Sequence, residues 1–216
     1  MIKAFIFDLD GVLTDTAEYH FRAWKRLADE IGAPFTREDN ESLRGISRRG
    51  SLLLLLKGRI VPEPEFEQMM ARKNAYYLTF IEEITPRDLL PGAKELLLEI
   101  RAASLQTGLG SASKNAREVI ERLGIANLLD AVSDGYSVER QKPAPDLFLH
   151  AAGQLGRAPS ECIVVEDAAA GIEAAQAGGF HTVGLGPRER VGAAEVVLAS
   201  LAGVRLADLA GQFQFL

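Results

Sequence analysis

Two aspartates separated by one residue stand near the start of the chain, directly after a short apolar run. Asp8 and Asp10 flank Leu9, and Gly11 after them permits a tight turn. Because residues two apart in an extended chain point the same way, both carboxylates can face one pocket. One carboxylate can bind a hard cation such as Mg²⁺ or attack phosphorus as a nucleophile, while the other moves a proton to or from a hydroxyl. A solvated acidic turn is the alternative, since short motifs recur by chance.

A hydroxyl-rich segment follows a later apolar run and opens a helical pattern. It consists of Ser111, Ala112, Ser113, Lys114 and Asn115. Backbone N–H groups at the start of a helix, together with a hydroxyl, form a cradle for an anion. Ser113 as a helix N-cap is the plainer explanation, and the two roles are compatible.

A lysine stands between a turn and the start of another helix. Pro143 and Pro145 follow Lys142 and restrict the backbone there, which would aim the lysine side chain. Most lysines are solvated surface residues. A lysine held in this way is a better candidate for binding a phosphate.

Two adjacent acids, Glu166 and Asp167, end a further apolar run. At a turn from strand to helix both side chains can reach one pocket, where they could complete a Mg²⁺ shell with Asp8. The alternative is that Asp167 caps the helix that follows. Each of the four motifs is weak alone. Together they supply a nucleophile, metal ligands and a cation, which are the parts that phosphoryl transfer needs.

Short apolar runs alternate with amphipathic stretches over most of the chain. The runs predict buried strands at residues 4–9, 105–110, 162–165 and 182–185. The stretches predict helices at residues 93–102, 114–123, 146–155 and 168–177. This alternation predicts an α/β fold with a Rossmann-like parallel sheet and helices on both faces. In such sheets ligands bind beyond the carboxyl ends of the strands, where all four motifs stand.

One block breaks the alternation, because residues 15–87 are helical in pattern throughout. Helices are predicted there at residues 16–31, 37–43, 48–57 and 65–81. We therefore expect two domains: an α/β core of residues 1–14 and 88–216, and a small all-helical cap of residues 15–87 inserted after the first strand. The connections between them are expected at residues 12–15 and 85–90.

Composition excludes several classes of protein. The 216 residues carry 24 Lys and Arg against 30 Asp and Glu, a formal net charge of −6, which argues against a nucleic-acid binder. A single cysteine, Cys162, excludes a disulfide scaffold and a CxxC metal site. No apolar run approaches the ~18 residues that span a bilayer, and the N-terminus lacks a signal-peptide pattern. We expect a cytoplasmic monomer that binds neither nucleic acid nor membrane.

The motifs resemble the haloacid dehalogenase superfamily, and within it the mutases that act on β-glucose 1-phosphate. The resemblance extends over nearly the whole chain. Residues 7–25 are strongly characteristic, since related phosphatases usually carry Ser where Thr16 stands and lack the Glu-Tyr-His at positions 18–20. The other matching segments are residues 43–48, 72–74, 111–115, 142–146 and 166–167.

The resemblance implies a role for each matching position. Asp8 would be the phosphorylated nucleophile and a Mg²⁺ ligand, and Asp10 the general acid/base, with its backbone carbonyl on the metal. Glu166 and Asp167 would complete the Mg²⁺ site. His20 would act at the hinge near Asp10, although its spacing with Trp24, Leu27 and Ile31 by itself predicts a packed residue. The residues implied to bind substrate or phosphate are Ser111, Ala112, Ser113, Asn115, Lys142, Gly45, Ser47, Arg48, Lys73, Thr16 and Trp24, with Arg48 on the phosphate that does not react.

The implied reaction has two transfers. Phosphorylated Asp8 would donate to the 6-hydroxyl of β-glucose 1-phosphate, and would then take the 1-phosphate from the resulting 1,6-bisphosphate to leave glucose 6-phosphate. A Mg²⁺-dependent sugar-phosphate phosphatase of the same superfamily, with water as the acceptor, is the alternative. A phosphorylated signalling domain of the receiver type also combines an aspartate, a hydroxyl and a lysine, but it needs no helical insert of ~70 residues.

Overall fold

The computed structural model describes residues 1–213 of the chain and contains one six-stranded parallel sheet. Its strands are β1 (Ala4–Phe7), β2 (Gln106–Gly110), β3 (Ala131–Ser133), β4 (Cys162–Glu166), β5 (His181–Leu185) and β6 (Val196–Leu198). They lie in the order β3-β2-β1-β4-β5-β6, and every neighbouring pair is parallel. The order therefore reverses between β1 and β4, which is the position where open α/β sheets bind ligands.

Ten α-helices accompany the strands in the described chain. Five lie between β1 and β2, and the first four of these are α1 (Ala17–Glu30), α2 (Arg37–Glu41), α3 (Arg48–Leu56) and α4 (Glu63–Ile81). The others are α5 (Ala93–Ala102), α6 (Ala116–Arg122), α7 (Asp146–Leu155), α8 (Ala169–Ala177), α9 (Arg188–Val191) and α10 (Leu206–Ala210). Short 3₁₀ helices occur at Pro86–Asp88, Ala126–Leu128 and Pro159–Glu161.

Helices cover both faces of the sheet. Phe5 and Phe7 of β1 pack in one cluster with residues of α5, α6 and α10. Ala4 and Ile6 pack in a second cluster with residues of α7 and α8. Because alternate residues of a strand point to opposite faces, a strand buried on both faces needs an unbroken apolar run. The predicted Rossmann-like parallel sheet with helices on both faces is confirmed.

Helices α1 to α4 form a block around a hydrophobic cluster of its own, and Ala23, Tyr77 and Ile81 of this block also pack in the cluster of the sheet. Trp24, Leu27, Leu52, Phe66 and Met69 are buried in this cluster. The two connections to the sheet run side by side: the Thr14 hydroxyl donates to the Asp88 carbonyl at 2.7 Å, and the Leu90 N–H donates to the Leu13 carbonyl at 2.9 Å. A block attached at one edge in this way can be positioned as a unit over the ends of the strands.

Sequence patterns located most elements to within two residues. The helices predicted at residues 93–102 and 146–155 have those bounds in the structure. The first strand ends at Phe7 rather than at residue 9, because the chain turns at Asp8 to Gly11. Strands β3 and β6 were not predicted, since each has only three residues, too few to show an apolar pattern.

A run of five leucines at residues 52–56 lies in α3 and helps to hold the block together. Leu52, Leu55 and Leu56 are buried in the cluster of the block, whereas Leu53 and Leu54 are exposed. No helix in the part of the chain that the structure describes combines the length and apolar character that a membrane crossing requires.

These neighbouring leucines allow a matched test of the packing of the block. Leu52 is 0% exposed and Leu53 is 56% exposed. We expect Leu52→Ala to lower the free energy of unfolding by about 2–5 kcal/mol, because it leaves a cavity. Leu53→Ala should change it by roughly 0.5 kcal/mol or less. Urea denaturation followed by circular dichroism measures both, and equal effects would contradict the packing described here.

Candidate active site

Three buried carboxylates meet where the strand order reverses. Asp8 follows β1, Glu166 ends β4, and Asp167 is the next residue. One oxygen of each carboxylate lies within 4.8 Å of the others. The Asp8 N–H donates to the carbonyl of Val165 at 2.9 Å, which holds the end of β1 against β4. The adjacency of the two strands therefore creates the cluster.

Lys142 joins two of these carboxylates from the loop between β3 and α7. Its Nζ lies 2.6 Å from Asp8 Oδ1 and 2.6 Å from Glu166 Oε1, and its side chain is fully buried. Burial alone would lower the pKa of Lys142, but the two carboxylates raise it above its ordinary value, so the lysine is charged. Lys142, whose side chain we expected the neighbouring prolines to orient, therefore contacts Asp8.

The three carboxylates still repel one another, although Lys142 contacts two of them and guanidinium groups approach Asp167. Burial, followed by repulsion from Glu166 and Asp8, raises the pKa of Asp167 to about 8. Burial also raises the pKa of Glu166. Divalent cations such as Mg²⁺ prefer oxygen ligands, and a cation among three close carboxylates would offset their repulsion. The residues present therefore fit a divalent cation, whereas the carboxylate of Asp10 lies outside this group.

Asp167 does not cap the helix that follows it. The N-cap residue of α8 is Ala168, which has no side-chain cap. The Ala168 N–H instead donates to Glu166 Oε2 at 2.7 Å, so the turn after β4 orients the glutamate. The Asp167 carboxylate faces Arg44 of the helical block, whose Nη1 lies 3.2 Å from Asp167 Oδ2.

Two glycines leave room for the acidic cluster. A Cβ at Gly171 would lie 1.8 Å from Glu166 Oε1, and a Cβ at Gly11 would lie 2.2 Å from Asp167 Oδ2. Gly11 also has a φ of +80°, which a side chain would strain. The turn at Gly11 agrees with the sequence pattern, whereas the need for Gly171 is visible only in its tertiary contact with Glu166.

Asp10 is connected to the helical block through hydroxyl groups. The Thr16 hydroxyl donates to Asp10 Oδ1, and the Tyr77 hydroxyl of α4 donates to Thr16 Oγ1 at 3.3 Å. Removal from water, followed by repulsion from Asp8, raises the pKa of Asp10 to about 6. Thr16 was predicted to bind substrate, but it is buried and supports Asp10 from behind.

His20 and Lys73 form a close pair on the helical block. Lys73 Nζ lies 2.7 Å from His20 Nδ1, and it stands 4.8 Å from the centre of the Trp24 ring. Burial, and then the neighbouring positive charges, lower the pKa of both groups well below their ordinary values. His20 stacks on Tyr77 at 4.2 Å, so it is packed as its spacing predicted. It also lines the cavity between the helical block and the ends of the strands, and the catalytic role at the hinge that the resemblance implied stays a prediction.

A cavity of about 790 Å³, including its opening to solvent, separates the helical block from the ends of the strands. Its wall contains most of the predicted site residues: Asp8, Asp10, His20, Trp24, Gly45, Arg48, Lys73, Ser111, Ala112, Ser113, Asn115 and Asp167. It also contains residues that sequence analysis did not assign to the site: Ala17, Asn40, Leu43, Arg44, Ile46, Ser51 and Lys114. Ser47 is behind the wall, where its hydroxyl accepts from the Gly50 N–H at 3.2 Å as the N-cap of α3.

Of two adjacent arginines, only one faces the cavity. Arg48 is on the cavity wall, and burial lowers its pKa. Arg49 points outward, with Nη1 2.6 Å from Glu63 Oε1. The resemblance assigned a phosphate to Arg48, and of the two arginines Arg48 is the one that lines the cavity.

The hydroxyl-rich segment folds as a turn before α6. The Ser113 N–H donates to Ser111 Oγ, and the Asn115 N–H donates to Ser113 Oγ, both at 3.2 Å. Ser113 is therefore not the N-cap of α6, because that position belongs to Asn115. The Asn115 side chain reaches across to the helical block, where Nδ2 donates to Asn74 Oδ1 at 2.9 Å.

The contact between Gly171 and Glu166 leads to a testable prediction with an internal control. Gly171 in α8 and Gly153 in α7 are both helical, so alanine is favoured at each by about 1 kcal/mol on helix propensity. A Cβ at Gly153 meets no atom within 4 Å. We expect Gly153→Ala to stabilise the protein, and Gly171→Ala to destabilise it by about 1–3 kcal/mol because the new methyl group displaces Glu166. Thermal unfolding measures both, and stabilisation by Gly171→Ala would contradict the close contact.

Comparison with known proteins agrees with this geometry. The family model of haloacid dehalogenase-like hydrolases matches residues 2–179. A β-phosphoglucomutase of Bacillus subtilis is 42% identical over 209 residues, which is 95% of this chain and 92% of that protein. A phosphorylated carbohydrates phosphatase of Thermotoga maritima is 27% identical over 84% of each chain. The crystal structure of a β-phosphoglucomutase from Clostridium difficile superposes with a TM-score of 0.95 at 41% identity, covering 98% of this chain and 97% of that one.

The matching region includes the acidic cluster, Lys142 and the whole helical block. The chain therefore belongs to the haloacid dehalogenase-like hydrolase family, within which it resembles the β-phosphoglucomutases.

Proposed function

We propose that the protein is a Mg²⁺-dependent phosphomutase that interconverts β-glucose 1-phosphate and glucose 6-phosphate through a phosphorylated Asp8. The observation that carries the proposal is the placement of Asp8: it is buried against Lys142 at 2.6 Å, beside Glu166 and Asp167, at the floor of a closed-over cavity. The 42% identity with the B. subtilis β-phosphoglucomutase supports the choice of reaction.

Asp8 and Asp10 divide the chemistry between them. Lys142 holds Asp8 Oδ1, so the attack on phosphorus falls to the other oxygen, Asp8 Oδ2. As the bond from phosphorus to the sugar oxygen breaks, the Asp10 carboxyl group gives that oxygen its proton. In the reverse direction Asp10 takes the proton of the attacking sugar hydroxyl. A divalent cation held by Asp8, Glu166 and Asp167 would offset the charge of the phosphoryl group.

Residues 15–87 act in this proposal as a cap domain over a core of residues 1–14 and 88–216. A mutase has to transfer the phosphoryl group to a sugar and not to water, so its cavity must exclude water during transfer. The cap contributes His20, Lys73 and Gly45 to the wall around the sugar. The half-buried Arg48 holds the phosphate that does not react, while Asn115 on the core side lines the pocket of the transferring phosphoryl group.

Two alternatives are weighed against this proposal. Sugar-phosphate hydrolysis is supported by the similarity to the T. maritima phosphatase, and it would use the same acidic cluster with water as acceptor. A receiver-type signalling domain is disfavoured, because its sheet order is 2-1-3-4-5, whereas the order here is 3-2-1-4-5-6. The substrate class is a small sugar phosphate in either enzymatic case. A monomeric state and a cytoplasmic location also belong to the proposal.

The reaction is tested with β-glucose 1-phosphate, Mg²⁺ and a trace of the 1,6-bisphosphate, with glucose 6-phosphate detected by coupled oxidation. We expect turnover of the β anomer and none of the α anomer. Asp8→Asn should abolish turnover, since an amide cannot attack phosphorus, whereas Asp29→Asn on the exposed side of α1 should leave it unchanged. Release of inorganic phosphate without glucose 6-phosphate would overturn the mutase proposal in favour of hydrolysis.

Substitution of the two adjacent arginines tests whether Arg48 binds the phosphate that does not react. Arg48→Ala removes a charge-assisted contact on the cavity wall, so we expect mutase kcat/KM to fall roughly 10- to 100-fold. Hydrolysis of the aspartyl phosphate should change much less, because that step does not involve the second phosphate. Arg49→Ala is the control and should resemble wild type, since Arg49 pairs with Glu63 on the outside. Equal losses of transfer and hydrolysis in Arg48→Ala would contradict the role of Arg48.

A further inference from the structure

Asp167 is contacted by a second guanidinium group that the proposed reaction does not explain. Arg190 Nε donates to the backbone carbonyl of Asp167 at 2.6 Å. The Nη2 atom of the same side chain lies 3.6 Å from Asp167 Oδ2. Arg190 therefore hydrogen-bonds the main chain of Asp167 and forms a longer ion pair with its carboxylate.

The main chain around Arg190 is shaped for this contact. Gly186, just after β5, has a φ of +118°, and a Cβ there would lie 2.6 Å from Arg190 Nη2. Because Gly186 has no side chain, the guanidinium group of Arg190 can pass close to its main chain. The next residue, Val191, is fully buried, and a Cβ at Gly184 of β5 would lie 2.8 Å from its Cβ. Helix α9 is thus packed on β5, the strand beside the one that carries Asp167.

Arg44 also contacts the Asp167 carboxylate, but it is anchored elsewhere. It comes from the helical block, and its Nε and Nη2 are directed to Glu41, at 2.8 and 3.4 Å. Only its Nη1 reaches Asp167. Arg190, in contrast, is fixed to the same sheet as Asp167 and keeps its place whatever the position of the block.

We propose that Arg190 is a positioning residue for the cation site, which holds the Asp167 carboxylate toward Asp8 and Glu166. This inference rests on the proposed function, since it assumes that Asp167 binds a divalent cation. Metal-binding carboxylates are oriented by hydrogen-bonding neighbours, and loss of such a neighbour typically costs 10- to 100-fold in affinity. The planar fork of an arginine can hold two acceptors at once, which the single ammonium group of a lysine cannot do in the same geometry.

The positive charge of Arg190, considered without its hydrogen bonds, would predict that loss of this residue strengthens cation binding. A guanidinium near the site repels a divalent cation, so its removal would tighten binding if repulsion dominated. Two substitutions separate the effects: Arg190→Gln removes both the charge and the fork, and Arg190→Lys keeps the charge but loses the fork. Orientation predicts weaker cation binding in both variants. Repulsion predicts tighter binding in Arg190→Gln and no change in Arg190→Lys.

The experiment is a titration of the cation-free protein with Mn²⁺, with free Mn²⁺ measured by electron paramagnetic resonance. We expect both Arg190 variants to bind Mn²⁺ on the order of ten-fold more weakly than wild type. Arg188→Gln, an exposed arginine on the same helix, should bind like wild type. The melting temperatures of the cation-free variants show whether each is folded. If Arg190→Gln does not fold, the comparison of Arg190→Lys with wild type still tests the proposal.

The outcomes distinguish this inference from the proposed function. Unchanged or tighter binding in folded Arg190 variants would overturn the positioning role and leave the cation site intact. Failure of wild type to bind Mn²⁺ would overturn both the cation site and the role of Arg190.

Discussion

The buried contacts of Lys142 with Asp8 and Glu166 are the interaction on which the rest of the site depends. Moving charged groups out of water costs several kcal/mol for each ion, and the cost is recovered only with close partners and good geometry. Lys142 Nζ lies at 2.6 Å from both carboxylates, with its side chain fully buried. The three carboxylates lie close enough together to hold a divalent cation, which would offset their mutual repulsion.

The fold supplies this arrangement through the order of its strands. Asp8 and Glu166 belong to neighbouring strands only because the sheet order reverses between β1 and β4. The loops beyond the strand ends then have to leave space for the carboxylates, which explains why Gly11 and Gly171 lie against Asp167 and Glu166. Helices on both faces bury the strands and leave their carboxyl ends as the open side, which the helical block covers.

Much of this could be predicted from the sequence, because the relevant signals are local. Apolar runs indicated four strands, and acids, a hydroxyl and a stiffened lysine at their ends indicated the site. Short elements gave no such signal, so β3 and β6 were not predicted. The separation of Arg48 from Arg49, the need for Gly171 and the contact of Arg190 with Asp167 depend on tertiary neighbours up to 23 positions away in the chain. No spacing pattern encodes such contacts.

The choice between transfer to a sugar and loss to water cannot depend on the acidic cluster, because Asp8 and Lys142 would serve either acceptor. The choice of acceptor has to depend on contacts that form only when the helical block covers the cavity. Asp10 accepts from Thr16, the N-cap residue of α1, and Thr16 accepts from Tyr77 of α4, so the carboxylate proposed to transfer the proton is held by the helical block. With the block displaced, Asp8 would keep Lys142 while Asp10 would lose both supports. In the proposed reaction, proton transfer would then be linked to a closed cavity that contains the sugar, and a water molecule reaching the open site would lack its base.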